Sequence, residues 1–142
     1  VDLMKEMIRV AAGEPLSVKQ EDIHLQGHAM ECRINAEDPA HHFRPCPGVI
    51  EAIHLPGGNG VRIDTAAYNG YEIPPFYDSM IAKVIVHGRT RQEAIDKMRS
   101  TLGELIIDGV TTNVDFQYEI LDNEDFQAGE ITTDFIPMHF NL

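Results

Sequence analysis

The chain has no tryptophan, only two cysteines and no cluster of basic residues among its 142 positions. No apolar run approaches the roughly 20 residues that cross a bilayer as a helix, and no secretory leader is visible. Each absence excludes something. Lys and Arg number 11 against 23 Asp and Glu, a formal net charge of -12. Such a surface repels polyanions, so neither nucleic acid nor an anionic membrane is an expected partner. Cys32 and Cys46 form no Cys-x-x-Cys pair and read as two reduced thiols of a cytoplasmic protein. The histidines, His41-His42 included, show neither helical ligand spacing nor a matching cysteine pair, so no metal site is expected. Nothing resembles a nucleophile elbow or a Ser-His-Asp set. Gly57-Gly58-Asn59-Gly60 lacks the Lys-Ser/Thr of a phosphate loop and precedes no helix, which leaves a turn.

What is present is an ordinary globular composition, 43% hydrophobic and 24% charged, enough for one domain with or without an appendage. Asp2 to Ala12 has helical periodicity, with Leu3, Met7 and Val10 in one stripe and Met4, Ile8 and Ala11 beside it. Gly13 and Pro15 end that helix. Residues 14–22 are polar, and a boundary is placed there: 1–22 as helix and connector, 23–142 as the domain. The chain opens in helix without an initiator Met, so a piece of a longer protein is expected.

Val49 to Leu55 and Val61 to Asp64, on either side of the Pro56–Gly60 turn, predict a hairpin. Ser79 to His87 is apolar on both faces apart from Lys83, as central strands are. Thr90 to Ile107 predicts the longest helix. Thr90 and Glu93 have the capping-box form, and Ala94, Ile95, Met98, Leu102, Leu105 and Ile106 make the buried stripe. Thr112 to Asp115 opens another helix, to about Leu121, and residues 125–140 mix helical and irregular signals. This order predicts an α+β fold, a mainly antiparallel sheet with helices packed on one face.

The most informative segment runs from His28 to Pro39. His28, Met30, Cys32 and Ile34 alternate with Ala29, Glu31, Arg33 and Asn35, the period of a strand with one face on a core. The second face then carries a carboxylate, a guanidinium and an amide, spaced about 7 Å apart at ~3.3 Å rise per residue. Arg33 has a permanent charge and a planar fork of donors suited to an oxygen or a carboxylate. On an acidic domain it can equally pair with Glu31, Glu37 or Asp38, as surface ions commonly do. Tyr77-Asp78-Ser79 fits a turn and cap. Lys83 needs a partner inside its apolar strand, and Asp78 or Glu31 are the candidates.

The run His28-Ala-Met-Glu-Cys-Arg-Ile-Asn-Ala-Glu-Asp-Pro39 resembles the C-terminal domain of biotin carboxylase, a barrel-sandwich-hybrid-like fold. Pro47-Gly48, Gly58-Asn-Gly-Val-Arg62, Tyr77-Asp-Ser-Met-Ile-Ala-Lys83 and Ile107-Asp-Gly-Val-Thr-Thr-Asn113 follow in the family's order with near-family spacing. The resemblance covers almost all of 1–142. The Glu-Cys-Arg-Ile-Asn and Asp-Gly-Val-Thr-Thr-Asn wording looks most like the biotin carboxylase of bacterial acetyl-CoA carboxylase, with pyruvate and propionyl-CoA carboxylases more distant.

The resemblance implies an ATP-dependent carbon-nitrogen ligase. ATP activates bicarbonate, and CO2 passes to biotin borne on a carrier protein, the first half-reaction of acetyl-CoA carboxylase in fatty acid synthesis. By the same resemblance, Arg33 binds bicarbonate and the biotin ureido oxygen and is the catalytic residue of this chain. Glu31, Asn35, Asp78 and Lys83 support it. ATP and Mg belong to an ATP-grasp region upstream of Val1, so the chain alone is expected to be inactive. Implied partners are biotin carboxyl carrier protein, carboxyltransferase subunits and a second copy of the full-length protein. The homodimer contact would include Asn59 and Arg62, and some family members carry Phe where this chain has Asn59, an aromatic anchor lost. The alternative is a non-catalytic scaffold or dimerisation module, with Arg33 sealed between Glu31 and Glu37.

Overall fold

The structure, a computed structural model, describes residues 1–140. Its strands are β1 (His28–Asn35), β2 (Glu37–Asp38), β3 (Arg44–Pro45), β4 (Gly48–Val49), β5 (Ala52–His54), β6 (Val61–Thr65), β7 (Glu72–Ile73), β8 (Met80–Gly88) and β9 (Ile106–Asp108). Its helices are α1 (Leu3–Ala11), α2 (Arg91–Glu104), α3 (Val114–Asp122), α4 (Glu124–Ala128) and α5 (Phe135–His139). The strand read as central is central: β8 lies between β1 and β6, antiparallel to both.

The register sorts the side chains of this sheet into two faces. Cys32 pairs with Val84, Ile34 with Ala82, and Ile63 with Val84 from the other side. These residues face α2, whose Ala94, Met98 and Leu102 are buried in the same core. Glu31, Arg33, Lys83, Arg62 and Asp64 occupy the opposite face. Helices therefore cover one face, as the α+β reading required. The sheet does not close into a barrel among the described residues. β1 and β6 are its two edges, and the other strands form separate two-stranded ribbons, β2 with β3, β4 with β7 and β5 with β9.

The predicted hairpin over 49–64 is not formed. β5 pairs with β9, Ile53 opposite Ile107, while β6 pairs with β8. Local alternation fits either pairing; burial decides, because beside β8 the half-buried Val61 and Ile63 join the core cluster. The long helix also ends early, at Glu104. Leu105 is extended, with φ -74° and ψ 121°, and the β-branched pair Ile106-Ile107 enters β9, leaving Ile106 exposed rather than in the buried stripe. The capping box is half made. Thr90 Oγ1 accepts from Glu93 N at 3.2 Å, but the Glu93 carboxylate turns to the backbone and side chain of Arg89.

α1 has its predicted bounds within one residue, capped by Asp2. Its apolar residues Leu3, Met4, Met7, Ile8 and Val10 are all exposed, and its one buried residue is Glu6. That carboxylate accepts from the amide and hydroxyl of Ser17, and those bonds hold it below the usual Glu range.

Candidate active site

Arg33 projects from β1 onto the sheet face that no helix covers. Its neighbours in the strand, Cys32 and Ile34, are buried against the core, so alternation forces its side chain to the open side. The side chain is 68% exposed, and its Nε donates to Glu31 Oε1 at 3.1 Å. Among the described residues Glu31 is the one carboxylate that pairs with it. Glu37 does not close over it. That carboxylate accepts instead from Ser79 Oγ and from Asn35 Nδ2 at 3.1 Å. Asp38 is bonded to His41 and to the amide of Ala40. Arg33 is thus open, with one carboxylate to steady it.

Two neighbouring strands extend the row. Lys83 lies opposite Arg33, and Asp64 lies opposite Lys83. Arg62 pairs with Asp64 through two bonds of 2.8 Å, Nε to Oδ1 and Nη2 to Oδ2. This hydrogen bonding, then desolvation in opposition, then the charges of Arg62 and Lys83, set the Asp64 carboxyl, which lies below its usual value. The result is a strip of three cations and two carboxylates across three strands. It offers guanidinium and ammonium donors to a small oxyanion.

The other expected site residues divide. Asn35 stays beside Arg33 and ties Glu37 and Ser79 to the end of β1; its own Oδ1 is buried without a partner. Asp78 does not pair with Lys83. Its carboxylate caps the amide of Met80 at 2.8 Å, the turn-and-cap role. Glu31 is held by Arg33, and among the described residues Lys83 has no carboxylate within 4 Å. It needs none so urgently as expected, because its side of β8 is open. Asn59 is exposed in the turn before β6, and Arg62 lies on that edge strand, across β8 from Arg33.

Sequence reasoning misses two residues. Asp64 shows in the sequence only as the end of a strand. Asn113 shows as the end of the Ile107–Asn113 motif at a helix start, with no role assigned, yet its side chain bonds to β1 on either side of Ile34. An Asn at a helix N-cap normally turns to its own helix. Nothing local signals that this one turns away.

Cys32 is buried beneath this face, and burial, helped by the nearby Glu31 charge, pushes its thiol up to about 12. Cys46 is also a free thiol, partly exposed.

A family model, the biotin carboxylase C-terminal domain, matches residues 31–138. The chain belongs to that family. It is 54% identical over 135 residues to biotin carboxylase 1 of Bacillus subtilis, covering 95% of this chain and 30% of the relative. It is 56% identical over 136 residues to a pyruvate carboxylase subunit of Methanothermobacter thermautotrophicus, covering 96% of this chain and 28% of that one. A crystal structure of the Hydrogenobacter thermophilus 2-oxoglutarate carboxylase biotin carboxylase domain dimer, with MgADP, ADP and bicarbonate, superposes with a TM-score of 0.94 at 47% identity. That match covers 98% of this chain and 31% of the other. The chain therefore spans about 30% of the length of the relatives it matches. The greater distance expected from pyruvate carboxylases does not hold for all of them: at this domain, the Methanothermobacter pyruvate carboxylase protein is as similar as the Bacillus biotin carboxylase.

Proposed function

We propose that this chain serves as the C-terminal domain of a biotin carboxylase that carboxylates carrier-borne biotin with bicarbonate at the expense of ATP, within an acetyl-CoA carboxylase. Arg33 is its catalytic residue. The observation that carries the proposal is the open guanidinium of Arg33 on a rigid strand, steadied by Glu31 and not sealed by Glu37. An Arg sealed between two carboxylates would have favoured a scaffold.

Biotin supplies the ureido nitrogen that takes up CO2, and its ureido oxygen gathers negative charge as that nitrogen loses its proton. Arg33 offers fixed, charged donors to that oxygen and to bicarbonate, as an oxyanion hole does. Glu31 orients the guanidinium through Nε. Asn35 holds Glu37 away from it, and Lys83 adds positive field beside it. Asp78 fixes the start of β8 and acts only through that strand.

ATP and Mg fall, in this proposal, to the part of the relatives that this chain does not span. Residues 1–22 continue from that part, and the exposed stripe of α1 would pack on it. The full-length protein works with a biotin carrier and carboxyltransferase subunits in the cytoplasm, and Asn59 and Arg62 lie at its homodimer contact.

The test is Arg33→Ala and Arg33→Lys in the full-length carboxylase, assayed for biotin carboxylation. Each should lose at least ~2 kcal/mol of transition-state stabilisation, the scale of one lost oxyanion donor. A folded variant with unchanged turnover overturns the assignment. The 56% identity to a pyruvate carboxylase protein favours a second reading within the family. Pairing with carboxyltransferase and offering acetyl-CoA or pyruvate decides it by which acceptor gains the carboxyl group.

A further inference from the structure

β1 is an edge strand. β8 satisfies one side of its backbone, and the other side needs partners from elsewhere. At Arg33 and Asn35 those partners come from one residue 78 positions away from Asn35. Asn113 Oδ1 accepts from Asn35 N at 2.9 Å, and Asn113 Nδ2 donates to Arg33 O at 3.1 Å. The backbone N–H of Asn113 then donates to Asn35 O at 3.2 Å. A carboxamide carries the same donor and acceptor as a peptide unit, so this side chain supplies what a neighbouring strand would have supplied.

Three further observations single out the contact. Asn113 is buried, and the residue it brackets, Ile34, is fully buried. Asn113 occupies the N-cap of α3, yet its side chain makes no cap bond to that helix. The β1–β8 register shifts between Ile34 and Asn35, so β8 alone holds this end of β1 less regularly than the rest.

We propose that Asn113 is a positioning residue for Arg33: its carboxamide substitutes for a missing strand and fixes the backbone from which the guanidinium projects. The inference rests on the role of Arg33 argued above. Its loss displaces Arg33 without removing any group that touches substrate.

The experiment is a double-mutant cycle in the full-length carboxylase, with ATP, bicarbonate and free biotin. Asn113→Asp keeps the shape and the acceptor but sets a carboxylate oxygen against Arg33 O. It should lower kcat for biotin carboxylation about tenfold or more, since a displacement of about 1 Å can cost 10²-fold. The KM for ATP should stay unchanged. In an Arg33→Ala background the same substitution should cost nothing further. Losses that add in full overturn the inference and leave the role of Arg33 intact. A full-activity Arg33→Ala variant overturns both. Hydrogen exchange on the unaltered protein gives a second measurement that needs no variant. The Asn35 amide should exchange slowly although it lies on the free edge of the sheet, and rapid exchange there overturns the proposal.

Discussion

Arg33 stands directly opposite Lys83 in the β1–β8 pair, and Asp64 stands opposite Lys83 from β6. Two cations facing each other across antiparallel strands repel by a few tenths to ~1 kcal/mol. Asp64 offsets part of this from one side, but its carboxylate is already bonded twice by Arg62. The strip's cation without a carboxylate among the described residues is therefore Lys83, directly beside the open Arg33 head. Lys83→Gln should leave the domain as stable or stabilise it by ~0.2–1 kcal/mol; in a full-length carboxylase of the proposed function it should slow biotin carboxylation and weaken its dependence on ionic strength. Urea melts and kcat/KM at two salt concentrations check both parts. A variant that is less stable at unchanged activity contradicts the arrangement.

Asp64 sets the acid limit of this face. Hydrogen bonds from Arg62 hold its carboxyl below the usual 3.8. A folded-state value below the unfolded one contributes stability that is present above about 3.8 and is lost as pH falls through the lowered value. Asp64→Asn should flatten the acid side of the stability profile in that window and leave its shape at neutral pH unchanged. Thermal melts from neutral pH down through that window give the comparison; an identical acid limb in the variant refutes it.

The two thiols should differ by their surroundings. Cys46 is partly exposed and should react with a thiol reagent in the native protein, while Cys32, buried and with its thiol pushed up to about 12, should react only on unfolding. The same shift makes stability fall with rising pH. Between the ordinary value of 9.0 and about 12 the unfolded thiol has lost its proton and the folded one has kept it, so the slope is negative. Cys32→Ser should remove that slope. Prompt labelling of both thiols without denaturant argues against the buried placement.

Gly109 follows β9 and starts the loop that leads to Asn113. Its φ is +97°, and a Cβ there would lie 2.3 Å from Val49 O and 2.8 Å from Glu51 N. Both the conformation and the space exclude a side chain, so Gly109→Ala should destabilise by about 2 kcal/mol or more. Gly57→Ala meets nothing within 4 Å and should stay within ~0.5 kcal/mol. Denaturant midpoints of the two variants should separate clearly; equal midpoints contradict the geometry.

Much of this was legible because it is local. The alternation of 28–35 put Cys32 and Ile34 in the core and Arg33 on the open face, and the burial along β1 agrees residue by residue. The doubly apolar run 79–87 became the central strand, and the stripe Ala94, Ile95, Met98 and Leu102 became the buried face of α2. Ordered motifs carried the family. Other features were not legible. Pattern could not choose β9 over β6 as the partner of β5, since alternation is the same in either pairing. Nor could it show that the apolar stripe of α1 faces outward, because periodicity reports that a face exists and not what covers it.

By itself the sequence determined which side chains share a face, where the three longest helices start, which strand is central, and that Arg33 would stand on a rigid element beside Glu31. These follow from periods of 2 and 3.6 residues and from capping chemistry within a few positions. Only the tertiary structure decided that Glu37 binds Ser79 and Asn35 instead of Arg33, and that Lys83 and Asp64 complete its row. It also decided that Asn113 turns from its own helix to the edge of β1. Each of these joins residues far apart in the chain. A donor bonds to whichever acceptor the fold brings within about 3 Å, and the backbone path that brings it there is a property of the whole core.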